Sequence, residues 1–112
     1  MKPISEMTPG ELRIACAERM GWKYIPSDIA PCKAPNGVGW TDYPDYEHDL
    51  NVCIEQLMEK VWEKRPNAVI EKNSEYFAIG WDVDLGYDSE YIDDWFLQIV
   101  IMRAFLTVME EK

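Results

Sequence analysis

The segment at residues 95–109 limits the possible folds of this chain more than any other. Apolar residues, among them Phe96, Ile99, Val100, Ile101, Phe105, Leu106 and Val108, fill much of a helical circumference, and Gln98 and Thr107 fall on opposite sides of it. A helix that is apolar nearly all round is buried on more than one side. The run is too short to span a bilayer and is interrupted by Gln98, Arg103 and Thr107. It therefore lies centrally in the fold or at a subunit interface. In a chain of 112 residues few other elements exist to surround it. Pairing with a second copy through Ile101, Phe105 and Val108 would hide the remainder, and a two-fold dimer is the commonest closed arrangement. The alternative is that two other helices flank it and finish the burial within one chain.

The rest of the chain supplies those helices and a sheet. Thr8-Pro9-Gly10-Glu11 offers a capping residue, a proline at the first helical position and a glutamate three residues after the cap. Leu12, Ala15, Cys16, Arg19 and Met20 recur at helical spacing, and Gly21 is a C-terminal stop. This predicts a helix over 9–20, after a loose start at 1–8. Residues 22–25 form a short strand. Pro26, Pro31, Pro35, Gly37 and Gly39 then punctuate a long loop over 26–42. A second helix starts near Asp45 or Tyr46, with Leu50, Cys53, Ile54, Leu57, Met58 and Val61 as its apolar stripe, and ends at Arg65-Pro66-Asn67.

Residues 68–72 and 75–84 read as an antiparallel hairpin. The second run alternates, with Phe77, Ile79, Trp81 and Val83 on a core face and Tyr76, Ala78, Gly80, Asp82 and Asp84 on the other; Gly80 marks a bulge or a close backbone approach. The last helix is placed after Asp88-Ser89, with Glu90, Asp93 and Asp94 favouring its positive end. The fold class is thus α+β: a small antiparallel sheet of about three strands layered with three helices, in the order α-β-α-β-β-α, forming one domain.

Several segments resemble a family of small phage and prophage proteins, the phage ABA sandwich domain family. These are Glu11-Leu12 through Met20-Gly21-Trp22, then Tyr46-Glu47-His48-Asp49-Leu50-Asn51, and Met102-Arg103-Ala104-Phe105-Leu106. The resemblance implies a sheet layered with helices and a phage or prophage origin. It implies no catalytic residue. The proline-rich insertion and the acidic stretch from Asp82 to Asp94 have no counterpart in it.

Charge bounds the partners. Twenty-one acidic residues face eleven basic ones, a formal net charge of −10. Such a field repels nucleic acid and anionic lipid and speeds encounter with a basic protein surface, although acidity also serves solubility alone. No nucleic acid and no membrane are expected as partners. The three cysteines, Cys16, Cys32 and Cys53, are odd in number and lack CxxC spacing, which argues against a disulfide framework or a zinc site and for a reducing, cytoplasmic location.

Aromatic and acidic residues intermix at Trp40, Asp42, Tyr43 and Asp45 and again at Asp82, Asp84, Tyr87, Asp88 and Glu90. Rings anchor and carboxylates pair with Arg and Lys, so these residues are the candidate surface for a basic partner. Trp81 and Trp95 are assigned to the core. The function expected is that of a phage or prophage accessory protein acting by protein–protein binding, which would inhibit a basic, nucleic-acid-binding host protein. The alternative is a metal-binding regulator or small enzyme using the carboxylates from Asp82 to Glu90. Counting Asp82 first puts Asp93 twelfth, but Gly86 stands fifth where a calcium loop needs its glycine sixth. No metal, cofactor or catalytic residue is assigned, and the sole histidine, His48, has no nucleophile in a recognisable context.

Overall fold

The computed structural model describes residues 3–26, 28–72, 77–81, 91–94 and 96–110. Helix α1 (Pro9–Arg19) starts as its sequence dictates: the Thr8 hydroxyl accepts from the Glu11 N–H, and the Glu11 carboxylate accepts from the Thr8 N–H at 3.0 Å. This reciprocal box satisfies two amides the helix cannot pair itself. At the other end Gly21 takes φ +103°, its N–H donates to the Glu18 carbonyl, and the Trp22 N–H reaches back to Ala17. That pattern closes a helix with a glycine and turns the chain sharply. Ahead of α1, Ile4–Glu6 form a single 3₁₀ turn, and Ile4 and Met7 pack on the core where a loose start was expected.

Within the Pro- and Gly-rich stretch, two short strands pair. Strands β1 (Lys23–Tyr24), β2 (Cys32–Lys33) and β3 (Gly39–Trp40) make a small antiparallel meander, Cys32 facing Tyr24 on one side and Trp40 on the other. Gly37, at φ +89°, allows the tight turn between β2 and β3, and the Lys33–Asp28 ion pair at 3.0 Å ties down the turn before β2.

The second helical rod begins later than expected. Asp45 stops a turn by accepting from the His48 N–H, and Asp49 caps the helix proper by accepting from the Val52 N–H at 3.2 Å. Aspartate side chains compete for nearby amides and so favour caps over helix interiors. From there α2 (Leu50–Val52), a six-residue π-helical stretch (Cys53–Met58) and α3 (Glu59–Lys64) run on without a break. The expected stripe is buried at Cys53, Leu57, Met58 and Val61.

The main sheet is antiparallel, with β5 (Phe77–Gly80) between β4 (Val69–Lys72) and β6 (Tyr91–Asp94). Ile79 pairs with Ile70 and with Ile92, and both registers pass through Gly80 without a bulge. As the central strand, β5 has Ala78 and Gly80 out of solvent as well as Ile79, and Trp81 directly after it is buried, so both of its faces are covered. Residues 91–94 were expected to open the last helix; they pair with β5 instead, and α4 starts at Leu97 (Leu97–Glu110). A β-branched and aromatic pair such as Tyr91-Ile92 suits a strand, and the ladder on β5 outweighs the preference of Asp93 and Asp94 for a helix start.

Helix α4 touches α1, the π-helical stretch, α3, β5 and β6. Encirclement by these elements explains its composition. Ile101, Phe105 and Val108, the residues expected to meet a second copy, have no exposed surface within one chain. They share a core with Leu12, Cys16, Leu57, Met58, Ile79 and Trp81. The fold is α+β, with a second small sheet added to the expected order.

Candidate functional site

The small sheet sits at the edge of the body, and Arg13 holds the chain that follows it. From α1 the Arg13 Nε donates to the Pro44 carbonyl at 2.9 Å, and Nη2 donates to the Tyr43 carbonyl at 2.7 Å. The same Nη2 lies 3.2 Å from Asp42 Oδ2. One planar guanidinium thereby fixes three successive residues, which a lysine could not do. Trp22, thrown outward by the Gly21 turn, meets Tyr43 edge to face, with ring centroids 6.2 Å apart at 72°. Pro35 packs against Gly21, where an added Cβ would lie 3.2 Å from the proline Cγ.

These contacts leave an open groove of about 610 Å³ between the small sheet, the 42–44 segment and the second helical rod. Its size falls in the range of small-ligand and side-chain pockets. Met20, Trp22, Pro35, Trp40, Tyr43 and Val52 give it mainly apolar walls, and Asp42 is the one carboxylate among its lining side chains. Trp40 is 54% exposed and the Asp42 side chain 67% exposed. Gln56 enters from the π-helical stretch, its Oε1 accepting from the Tyr46 hydroxyl at 2.6 Å. Such local widening of a helix often accompanies a functional site. Of the eight large apolar residues exposed among the described residues, six (Ile14, Tyr24, Ile25, Ile29, Val38 and Trp40) lie on or beside this end of the molecule. An apolar patch of this kind marks an interaction surface.

The sequence-derived candidates divide accordingly. Trp40, Asp42 and Tyr43 come together in the groove. Asp45 lies beyond its rim, where its carboxylate faces His48 at 3.1 Å. His48 also lies 3.3 Å from Glu47 and its side chain is 71% exposed, a surface histidine among carboxylates. Asp82, Asp84, Tyr87, Asp88 and Glu90, with Trp95, lie outside the described residues. Arg13, Met20, Trp22, Pro35, Val52 and Gln56 were not singled out from the sequence. Only the position of Trp22, directly after a helix-ending glycine, could have signalled its outward placement.

The thiols offer no nucleophile at neutral pH. Burial first, then the neighbouring Cys53, pushes the Cys16 thiol far up. Burial, with a contribution from Asp49, pushes Cys53 up to about 12. Cys32 is raised as well, by burial and then by Asp42. A thiol held protonated is inert. Burial also raises the Tyr46 phenol, and that of Tyr43, where Glu18 adds to the effect. No group of three or more potential metal ligands occurs among the described residues. No helix among them is long and apolar enough to cross a membrane. Compared with family models, curated proteins and solved structures, the chain matches none.

Proposed function

We propose that this chain is a non-enzymatic binding protein that docks its small-sheet end onto a basic, nucleic-acid-binding protein and covers the surface that partner uses for phosphates. The observation that carries the reading is the groove: three aromatic side chains and one exposed carboxylate, held in place by Arg13, on a molecule with a net charge of −10. Aromatic anchors in a pocket supply the affinity of such an interface. The surrounding negative field supplies attraction to the partner and rejects nucleic acid itself. Glu18 on α1 adds its charge beside Tyr43. With the resemblance of its helices to the phage ABA sandwich family, the reading is that of a phage or prophage accessory protein acting in the host cytoplasm.

Competition tests it. A labelled DNA duplex bound to a basic nucleic-acid-binding protein should be released as this chain is added, followed by fluorescence anisotropy. Trp40→Ala and Asp42→Asn should each weaken the release. A chain that fails to displace DNA from a panel of such proteins, or whose two variants displace it as well as the parent, would refute the reading.

A further inference from the structure

The polar side chains of the groove narrow the kind of partner segment it takes, and we infer that this is a proline-rich segment in the extended polyproline II form, flanked by Lys or Arg. The inference rests on the reading of the groove as the working surface and names what enters it. Donors carry the argument, because an indole N–H has a single hydrogen and is either engaged or not. Trp62 on α3 spends its Nε1–H on the Ala68 carbonyl at 3.1 Å. The indoles lining the groove, those of Trp22 and Trp40, make no hydrogen bond with the described residues. Nor do the amide N–H groups of the Asn36 and Gln56 side chains; only their oxygens are engaged, by the Val38 N–H and the Tyr46 hydroxyl. Water satisfies these donors while the groove is open. A partner that covers them must bring acceptors or strand them.

Those acceptors are neutral. Asp42 lines the groove, no Lys, Arg or His does so among the described residues, and the chain carries a net charge of −10. A phosphate or carboxylate is repelled from such a place. In a protein partner the neutral acceptors that recur along the chain are the backbone carbonyls. The donors that meet them stand on separate elements: Trp22 after α1, Asn36 between β2 and β3, Trp40 on β3 and Gln56 on the second helical rod. They are side-chain groups and not one strand edge, so the segment does not join a sheet ladder. Polyproline II suits this arrangement. It makes no internal hydrogen bonds, which leaves its carbonyls free to accept. Its prolines bring no N–H that covering would strand, and their rings pack on apolar and aromatic walls. The form is preset, so little freedom is lost on docking. Lys or Arg at the flanks answers the surrounding negative field.

The test uses the full chain and two peptides of about ten residues, roughly 30 Å long in this form. Both carry the same Lys/Arg flanks; the centre of one is proline-rich, and the other has alanine at each proline. Calorimetry should show the proline-rich peptide binding about tenfold more tightly. In NMR spectra its addition should move the indole N–H signals of Trp22 and Trp40 downfield and leave that of Trp62, already bonded to Ala68, in place. Trp40→Ala should remove the preference for proline. Trp40→Phe, which keeps a ring and loses the donor, should keep part of it. Equal affinity for the two peptides would overturn the inference and leave the basic-partner reading standing. Tight binding that leaves both groove indole signals unmoved would overturn it too, since the donors would then play no part. If neither peptide binds, the inference fails, and the DNA-release assay decides whether the basic-partner reading falls with it.

Discussion

Replacing Arg13 by alanine removes two hydrogen bonds from a charged donor to backbone carbonyls, at 2.9 and 2.7 Å, and the 3.2 Å approach to Asp42. Each hydrogen bond to a charged group contributes about 1.5–3 kcal/mol. The Arg13 side chain is 22% exposed and Asp42 far more so, so the ion pair itself adds about 0–1 kcal/mol. Water can reach part of the vacated carbonyls, which argues for the low end, and the expected loss is about 2–4 kcal/mol. For a chain of this size that lowers the melting temperature by roughly 8–16 °C. Arg13→Lys should recover less than half, because an ammonium lacks the planar fork that reaches all three acceptors. Urea unfolding measures the energy, and the indole N–H resonance of Trp22 reports whether the 42–44 segment has moved. An Arg13→Ala protein within about 0.5 kcal/mol of the parent, with the Trp22 signal unshifted, would refute the role given to this clamp.

Other perturbations probe the body and the turn. Phe105→Ala removes a fully buried ring from the core, and urea unfolding should show a loss of about 3–5 kcal/mol with no change in oligomeric mass by light scattering; a drop in mass would return α4 to an interface. Gly21→Ala forces a side chain onto a residue at φ +103° and against Pro35, so thermal unfolding should show a loss of about 1–2 kcal/mol and Trp22 should shift. Alkaline pH should destabilise the fold. The Cys53 thiol is raised by burial from its ordinary 9.0 to about 12, so its contribution is complete below about pH 9 and is lost as pH rises toward 12, where the unfolded chain sheds a proton the folded one retains. The unfolding midpoint should fall from pH 8 to pH 10.5, and Cys53→Ala should lessen the fall, the still more strongly raised Cys16 thiol supplying the rest.

Much of the body was legible because its signals are local and repeated. The box at Thr8 and Glu11, the stop at Gly21, the stripe from Cys53 to Val61 and the alternation through Ile79 and Trp81 each follow from backbone geometry. The all-round apolar character of α4 said that it must be enclosed, but not by what. Only packing chose its neighbours within the chain, and so buried Ile101, Phe105 and Val108. Of the small sheet only β1 showed in the sequence, as the strand over 22–25; β2 and β3 were missed because two-residue strands are too short to show alternation, and the prolines and glycines between them signal only turns. Residues 91–94 were misplaced because Asp93 and Asp94 suit a helix start, while the pairing that recruits them lies on β5. In the candidate site, the clustering of Trp40, Asp42 and Tyr43 showed in the sequence as acid and ring side by side. Arg13, 30 residues from Tyr43, and Gln56 on the far wall had no sequence signal, since their roles exist only once the chain has folded.

The groove as the seat of binding is most directly tested by titrating the isotopically labelled chain with a Lys/Arg-rich peptide and following amide and indole shifts. The expected result is saturable change at Met20, Trp22, Trp40, Asp42, Tyr43 and Gln56, weakening as salt is raised. Shifts confined to the β4–β6 sheet and α4, or no saturable shift at all, would contradict it.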